Sequence, residues 1–371
     1  MTTTVMLPQN IFNLNKTDYQ QPEIILGQRD GIFDTVNKQY PELWTLYKTQ
    51  VNLDWDANEF DYGPCNIQFK TCDRHIYDMM IKNLAWQWEA DTVASKIFVS
   101  VLSNVCTSAE AWAGWQRISD NEVIHATTYS EIVRNSFDDP TDILDEILRV
   151  QEAHSRLVTV GKVFHDAKIA SMQYGLDLIP NDQDLYNKIY KFIVAILCME
   201  RIQFMASFAV TFGIAESTGL FMPAAKAIQK IAQDEFEIHV QYGKAVLKEL
   251  YKTSRGRIAF EQSRAEIVAM VNEVVGSEVA WTEYAFSEGR ELTGVTCEMM
   301  KDWVYFSGTD VAKFFGIESE INFPVVPENP LKYMENWLAM DKVQASNQEE
   351  DTAQYKVNVL KRDDEEEIFD F

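Results

Sequence analysis

The chain has 371 residues, 46% of them hydrophobic, and a formal net charge of −24. That is enough apolar material for a sizeable core, in one large domain or two ordinary ones, and it excludes a disordered chain. The acidic balance, with no cluster of basic residues, argues against nucleic acid or an anionic membrane as a partner, since both need a concentrated positive face. The five cysteines Cys65, Cys72, Cys106, Cys198 and Cys297 form no C-x-x-C pair, which predicts thiols in a reducing compartment. The start, Met-Thr-Thr-Thr-Val-Met-Leu-Pro, has no basic stretch followed by an apolar run, and no apolar run of about 20 residues suits a bilayer. The expectation is a soluble, cytoplasmic protein.

Residues 1–30 are polar and rich in Gln and Asn, and read as an extended arm. Gly31–Lys48 carries Ile32, Phe33, Val36, Tyr40, Leu43 and Trp44 and reads as a short helix, followed by a loop at Gly63 and Pro64. From Asp73, a plausible N-cap, two long helices fit 73–104 and 107–135, the second capped by Thr107 or Ser108. Pro140 starts a third helix, to about 174. A fourth runs from about 183 to 215 and a fifth from about 224 to 252. Two more fit 258–287 and 294–315, and a short amphipathic segment with Trp337 follows Pro330. From Asp341 the chain is polar and acidic, with five consecutive acids at Asp363–Glu367 before Ile-Phe-Asp-Phe. Almost no β-structure is expected. The predicted organisation is an arm (1–30), an all-α domain (31–340) and a flexible acidic tail (341–371).

The apolar helix stripes are interrupted by polar residues in a regular way. Asp91 falls among Met80, Leu84, Trp88, Phe98 and Val101. Glu122, His125 and Tyr129 share the face that carries Trp115, Ile118 and Ile132. Glu200 sits among Ile189, Ile193, Ile196, Phe204 and Phe208. Glu235 and His239 sit among Ile228, Ile231, Tyr242 and Val246. A lone carboxylate precedes a Glu…His helix, twice over. Burying an unpaired carboxylate is costly, and a metal offsets that cost. Four carboxylates and two imidazoles suit a pair of Fe or Mn ions, whereas zinc prefers more nitrogen and sulfur. Two single carboxylates plus two Glu…His pairs is the ligand pattern of ferritin-like di-iron bundles. Each element also has a plainer reading. Glu-x-x-His arises by chance in an acidic chain, Glu200 could pair with Arg201 or Lys191, and a Tyr on a buried face usually just packs. Four such interruptions in the expected order favour the dinuclear site.

These motifs resemble the small, radical-generating subunit of class I ribonucleotide reductase. The resemblance covers the chain from about Ile32 to its end. It rests on Asn83-Leu84…Asp91, Glu122-Val-Ile-His125-Ala-Thr-Thr-Tyr129, Met199-Glu200-Arg-Ile-Gln-Phe204-Met-Ala-Ser-Phe208, Ile231-Ala-Gln-Asp234-Glu235, and Tyr355 in the tail. It implies a ferritin-like helical homodimer and the small-subunit role in a ribonucleoside-diphosphate reductase. Asp91, Glu122, His125, Glu200, Glu235 and His239 would be metal ligands, and Tyr129 the residue oxidised to a stable radical. Phe204, Phe208 and Ile231 would wall its pocket. Trp44 would stand beside the metals, joined through Asp234 to a ligand histidine. Tyr355 would relay the oxidising equivalent to the large subunit, on which the tail docks.

One residue is extra. The family spaces its second pair Glu-x-x-His, whereas this chain reads Glu235-Phe-Glu-Ile-His239. A π-bulge would absorb it, leaving Glu237 as the competing ligand. An iron pair is the first expectation for the cofactor, but the ligands suit Mn2 or Mn/Fe equally, and whether an activating flavoprotein is needed stays open. The rivals are an R2-like di-metal oxidase or hydroxylase of the same fold, a ferritin-like metal store, and a metal-free helical scaffold.

Overall fold

The computed structural model describes residues 23–28 and 33–340, which are helical with no extended strand among them; two isolated bridges, Ile25 with Cys106 and Leu292 with Val295, are the β-like pairings. The helices are α1 (Pro41–Asn52), α2 (Gly63–Thr71), α3 (Arg74–Val105), α4 (Ala109–Ser136), α5 (Pro140–Ile147), α6 (Gln151–Arg156), α7 (Val158–Gly175), α8 (Gln183–Cys198), α9 (Met205–Thr218), α10 (Met222–Gln233), α11 (Val240–Lys252), α12 (Ser254–Ala285), α13 (Cys297–Phe315) and α14 (Lys332–Leu338). Two π-helical segments, Met199–Phe204 and Asp234–His239, join α8 to α9 and α10 to α11 without a break.

Helix boundaries follow local chemistry. The Ser108 hydroxyl accepts the Ala111 amide at 3.3 Å and starts α4, and the Asp182 carboxylate accepts the Leu185 amide at 3.0 Å and starts α8. Gly219 ends α9 in the left-handed region at φ 68°, which a glycine adopts without strain. Proline, at home in a first turn, shifts two boundaries from those expected. Pro41 opens α1, so Phe33 and Val36 lie before it and exposed, and Pro64 lies in the first turn of α2, where a loop was expected.

The single helix expected from Pro140 to about 174 is three. The buried residues Ile147, Val150, Ala153 and Arg156 recur every three positions. On a regular helix that spacing drifts by about 60° per step, so Arg156 would end on the side opposite Ile147. Tight turns around Val150 and Leu157 reset the phase and keep all four pointing inward.

α3 and α4 pair along their length, α8 packs against α7 and α12, and α1 lies across α4 and α11. The rod Gln183–Thr218 is long and apolar enough to cross a membrane, but its apolar stretch is 100% buried, so it is the central core helix of the bundle. The close approach of α4 and α11 depends on Gly114. A Cβ there would meet the Tyr242 ring at 2.1 Å, and the Tyr242 hydroxyl donates to the Glu110 and Ala111 carbonyls at 3.0 Å each. In the segment expected to be an arm, Ile24, Ile25 and Leu26 are buried and bonded to the turn between α3 and α4. The thiols of Cys65, Cys72, Cys198 and Cys297 are free. Tyr355 and the rest of the expected tail, 341–371, lie outside the described residues.

Candidate metal centre

Asp91 comes from α3, Glu122 and His125 from α4, Glu200 from the first π segment, and Glu235 and His239 from the second. All six are 0–1% exposed. They fall into two overlapping groups: Asp91, Glu122, His125 and Glu235, and Glu122, Glu200, Glu235 and His239, with the ligand atoms of each group within 4.8 Å of one another.

The overlap gives the site its form. Glu235 reaches both imidazoles, Oε1 standing 2.9 Å from His125 Nδ1 and Oε2 2.5 Å from His239 Nδ1. Glu122 does the same at longer range, with Oε2 3.5 Å from His125 Nδ1 and Oε1 3.4 Å from His239 Nδ1. Two carboxylates therefore span both halves, while Asp91 belongs to the His125 half and Glu200 to the His239 half. Two bridging carboxylates, two terminal ones and one imidazole per half are what two adjacent cations require.

Both oxygens of all four carboxylates, and the Nδ1 atoms of both histidines, are buried with no partner in hydrogen-bonding geometry. So dense a set of unsatisfied acceptors is expensive unless a cation takes them up. The plainer reading of Glu200 fails on geometry: Arg201 pairs with Asp310 at 2.9 Å and Lys191 with Glu266 at 2.5 Å, and neither turns to Glu200. The donors present thus fit a dinuclear centre.

The second π segment absorbs the residue inserted between Glu235 and His239. Its wider turn keeps both on the site face. Glu237 is part-exposed and belongs to neither ligand group.

Each histidine turns Nδ1 inward and is held from behind through Nε2. Asp234 Oδ2 stands 3.2 Å from His125 Nε2 and also accepts from Asn121 Nδ2 at 2.8 Å and Trp55 Nε1 at 2.7 Å. His239 Nε2 lies 2.9 Å from the amide nitrogen Nε2 of Gln50, at the end of α1. A neutral His239 ligating through Nδ1 carries its hydrogen on Nε2, and a half-turn of the Gln50 amide would set its oxygen to accept that hydrogen. Such partners fix the tautomer and ring orientation of a metal-binding imidazole.

One expected residue is corrected here. The indole on Asp234 belongs to Trp55, in the segment after α1, and not to Trp44. Trp44 lies on α1, part-exposed, with its ring 5.0 Å from Tyr47 and Lys38 over its face. Trp44 belongs to the apolar pattern of α1, whereas Trp55 stands between Asp54 and Asp56, where no helical periodicity marks it. Gln50 and Asn121 had no assigned role. Asn121 sits directly beside Glu122, while Gln50 reaches the site only because α1 crosses α11. The fully buried indole of α3 is Trp86, with Trp88 part-exposed.

Without cations, protons must offset the crowded charge. Burial, then Glu122, raises Asp91 well above the ordinary carboxylate range, and burial, then Glu235 and Glu122, does the same to Glu200. Burial opposes charging of the imidazoles, but for His125 the contacts with Asp234, Glu122 and Glu235 prevail and raise it. For His239 the pull of Glu235 and Glu122 outweighs burial and lifts it to about 9. Glu235 is itself lowered, against burial, by His239 and His125.

The fold and site define a ferritin-like helical protein with a dinuclear carboxylate–histidine centre. The chain matches the family "Ribonucleotide reductase, small chain" over residues 32–330, and it belongs to that family. It is 23% identical to the ribonucleoside-diphosphate reductase subunit beta of Enterobacteria phage T4 over 383 residues, covering 96% of this chain and 97% of the phage protein. It is also 23% identical to the same subunit of Haemophilus influenzae, over 94% of this chain and 95% of that protein. Among solved structures, the ribonucleotide reductase R2 subunit of Clostridium botulinum shares the fold at TM-score 0.77 and 19% identity, over 90% of this chain and 99% of that one. A dimanganese(II) NrdF of Streptococcus sanguinis does so at TM-score 0.63 and 15% identity, over 84% of this chain and 100% of that one.

Metal uptake at neutral pH must displace protons from His125, His239, Asp91 and Glu200, all held above their ordinary values. Mn(II) affinity should therefore rise with pH between the usual imidazole value of about 6.5 and about 9, where His239 discharges. Calorimetry in buffers of different ionisation enthalpy should register net proton release, and an affinity flat across that window would mean these groups are not the ligands.

Proposed function

We propose that this chain generates and stores a tyrosyl radical at Tyr129 for the large subunit of a ribonucleoside-diphosphate reductase. The six residues Asp91, Glu122, His125, Glu200, Glu235 and His239 hold the metal pair. The observation that carries the reading is the setting of Tyr129. It lies one helical turn beyond His125, is 0% exposed, and its phenol makes no hydrogen bond among the described residues. Burial, then Asp91, Glu235 and Glu122, holds that phenol protonated far above its ordinary range.

When bound, two Fe or Mn ions supply the activation of oxygen, or of a reactive oxygen species, and the oxidising power that removes one electron from the phenol. The chain's part is positional. Losing an electron makes the phenol strongly acidic, so its proton leaves with it, toward Asp91, first among the charged groups acting on it. The buried rings of Phe204 and Phe208, 5.7 Å apart, and the buried Ile231 would, as the resemblance implies, wall this pocket against water and reductants. Asp234 accepts hydrogen bonds from both Trp55 Nε1 and His125 Nε2, a continuous polar connection toward α1. We assign to Trp55 the outward relay that the resemblance had placed on Trp44.

The carboxylate-rich donor set suits iron and manganese alike, with an iron pair as our first assignment. The acidic tail, with its apolar end Ile368, Phe369 and Phe371, fits a peptide that docks on the large subunit, with Tyr355 as the last relay on this chain. Two copies of the chain form the working unit, in the cytoplasm. Nucleotide binding and reduction belong to the partner.

Three experiments test these assignments. Tyr129→Phe should leave metal content unchanged and abolish the radical signal in electron paramagnetic resonance; an unchanged signal refutes the assignment. Trp55→Phe should keep both metals and the Tyr129 radical yet reduce ribonucleotide reduction with the large subunit to background. Trp44→Phe should stay near wild type, and the reverse ranking would restore Trp44 to the relay. Removal of residues 350–371 should abolish turnover with the large subunit while the radical still forms; turnover that survives would exclude the tail as the docking peptide.

A further inference from the structure

The π segment carrying Glu200 is fastened from outside the metal centre by a buried ion pair. Arg156, the last residue of α6, is 1% exposed, and Glu278 of α12 is 0% exposed. They meet as a fork: Arg156 Nε donates to Glu278 Oε1 at 2.9 Å and Nη2 to Oε2 at 2.6 Å. The same Nη2 also donates to the Gln203 carbonyl at 3.1 Å and the Ser207 hydroxyl at 2.9 Å. Gln203 answers with its side chain, donating from Nε2 to the Arg156 carbonyl at 2.7 Å and to Glu278 Oε1 at 3.1 Å. Above and below, the guanidinium is sandwiched by indoles, 3.7 Å from the Trp86 ring centre and 4.6 Å from that of Trp281. Trp86 in turn lies edge-on to Phe204, the last residue of the π segment, at 4.8 Å. The segment is therefore gripped on its backbone at Gln203 and on its apolar side at Phe204.

This arrangement has a reason in the geometry of the turn. A π segment bonds each amide to the carbonyl five residues back, so passing into and out of it leaves a carbonyl without its usual amide. Arg156 adds a charged donor at the Gln203 carbonyl, inside this turn near its exit. Beyond it, the Met205, Ser207 and Ala209 carbonyls accept from Trp303 at 2.8 Å, Asn83 at 2.9 Å and Tyr333 at 2.8 Å. The whole rod after the π turn is stitched in register by side chains from other elements.

Stability alone does not account for a charged pair in this position. A buried ion pair gains little over apolar residues of the same volume, and its best-attested use is to select one packing over another. The competing packing here is a rod whose π turn sits one residue away, and that shift rotates Glu200 by about 100° about the helix axis. We propose that Arg156, braced by Glu278, is a positioning residue for Glu200: it fixes the π turn in the register that points this carboxylate at the His239 half of the metal centre. The inference rests on the reading of Glu200 as a ligand.

The test uses the full chain and Mn(II) alone. Wild type should take two ions per chain and give the spectrum of a magnetically coupled pair. The double variant Arg156→Met/Glu278→Leu should melt, metal-free, close to wild type. It should keep one ion tightly, bind the other ten- to a hundredfold more weakly, and give the spectrum of an isolated ion. Glu200→Ala should lose the same ion. Should the double variant fail to fold, Arg156→Lys decides. Lysine keeps the charge beside Glu278 but lacks the fork that also reaches Gln203, so the second ion should weaken about tenfold. Two ions bound by the variants with wild-type affinity and a coupled spectrum would overturn this inference alone. A wild type that takes no second ion would overturn the metal reading and this inference with it.

Discussion

Four carboxylates in one dry pocket cannot all be anions unless cations join them. Asp91, Glu122, Glu200 and Glu235 are each fully buried, and the chain supplies two imidazoles against them. Protons can hold the balance, as the raised values of Asp91, Glu200, His125 and His239 indicate. Two divalent cations do so with far better use of the unpaired oxygens and nitrogens. The architecture exists to bring these groups together against their mutual repulsion. α3 and α4 run side by side to present Asp91 beside Glu122 and His125, and two long rods, each interrupted by a π segment, present the remaining three.

Rigidity around this charge comes from a layer of groups that touch no metal ligand oxygen. Asp234 gathers Trp55, Asn121 and His125 on one oxygen, and Gln50 closes the back of His239. Arg156 and Glu278 hold the rod that bears Glu200. The radical proposed for Tyr129 would need the same dryness that makes the carboxylates costly. Phe204, buried beside the centre's π segment, packs against Phe208 on one side and Trp86 on the other.

Much of this was legible in the residue pattern. Asp91, Glu122, His125, Glu200, Glu235 and His239 each interrupt an apolar stripe of period near 3.6, and a polar residue in such a stripe announces itself. The inserted residue before His239 was also readable, because an extra position between two groups that must share a face leaves a π turn as the economical solution. Where periodicity was weak, the reading went wrong. The segment from Pro140 to Gly175 is three helices rather than one, since its buried residues recur every three positions around Val150. Trp55, beyond the end of α1, meets Asp234 where Trp44, within the helix, does not, and no helical spacing links Trp55 to the centre.

Residue order alone carries the all-α class, the six acids and imidazoles, and the tyrosine one turn past His125, because helical spacing converts directly into shared faces. The packing of the helices settles which carboxylates span both halves, sets Gln50 and Trp55 behind the ligands, and turns Arg201 and Lys191 away from Glu200. It alone brought Arg156 and Glu278, 122 positions apart in the chain, together over the π turn. These contacts join segments with no common period, and their partners are set by how helices cross, which no local pattern encodes.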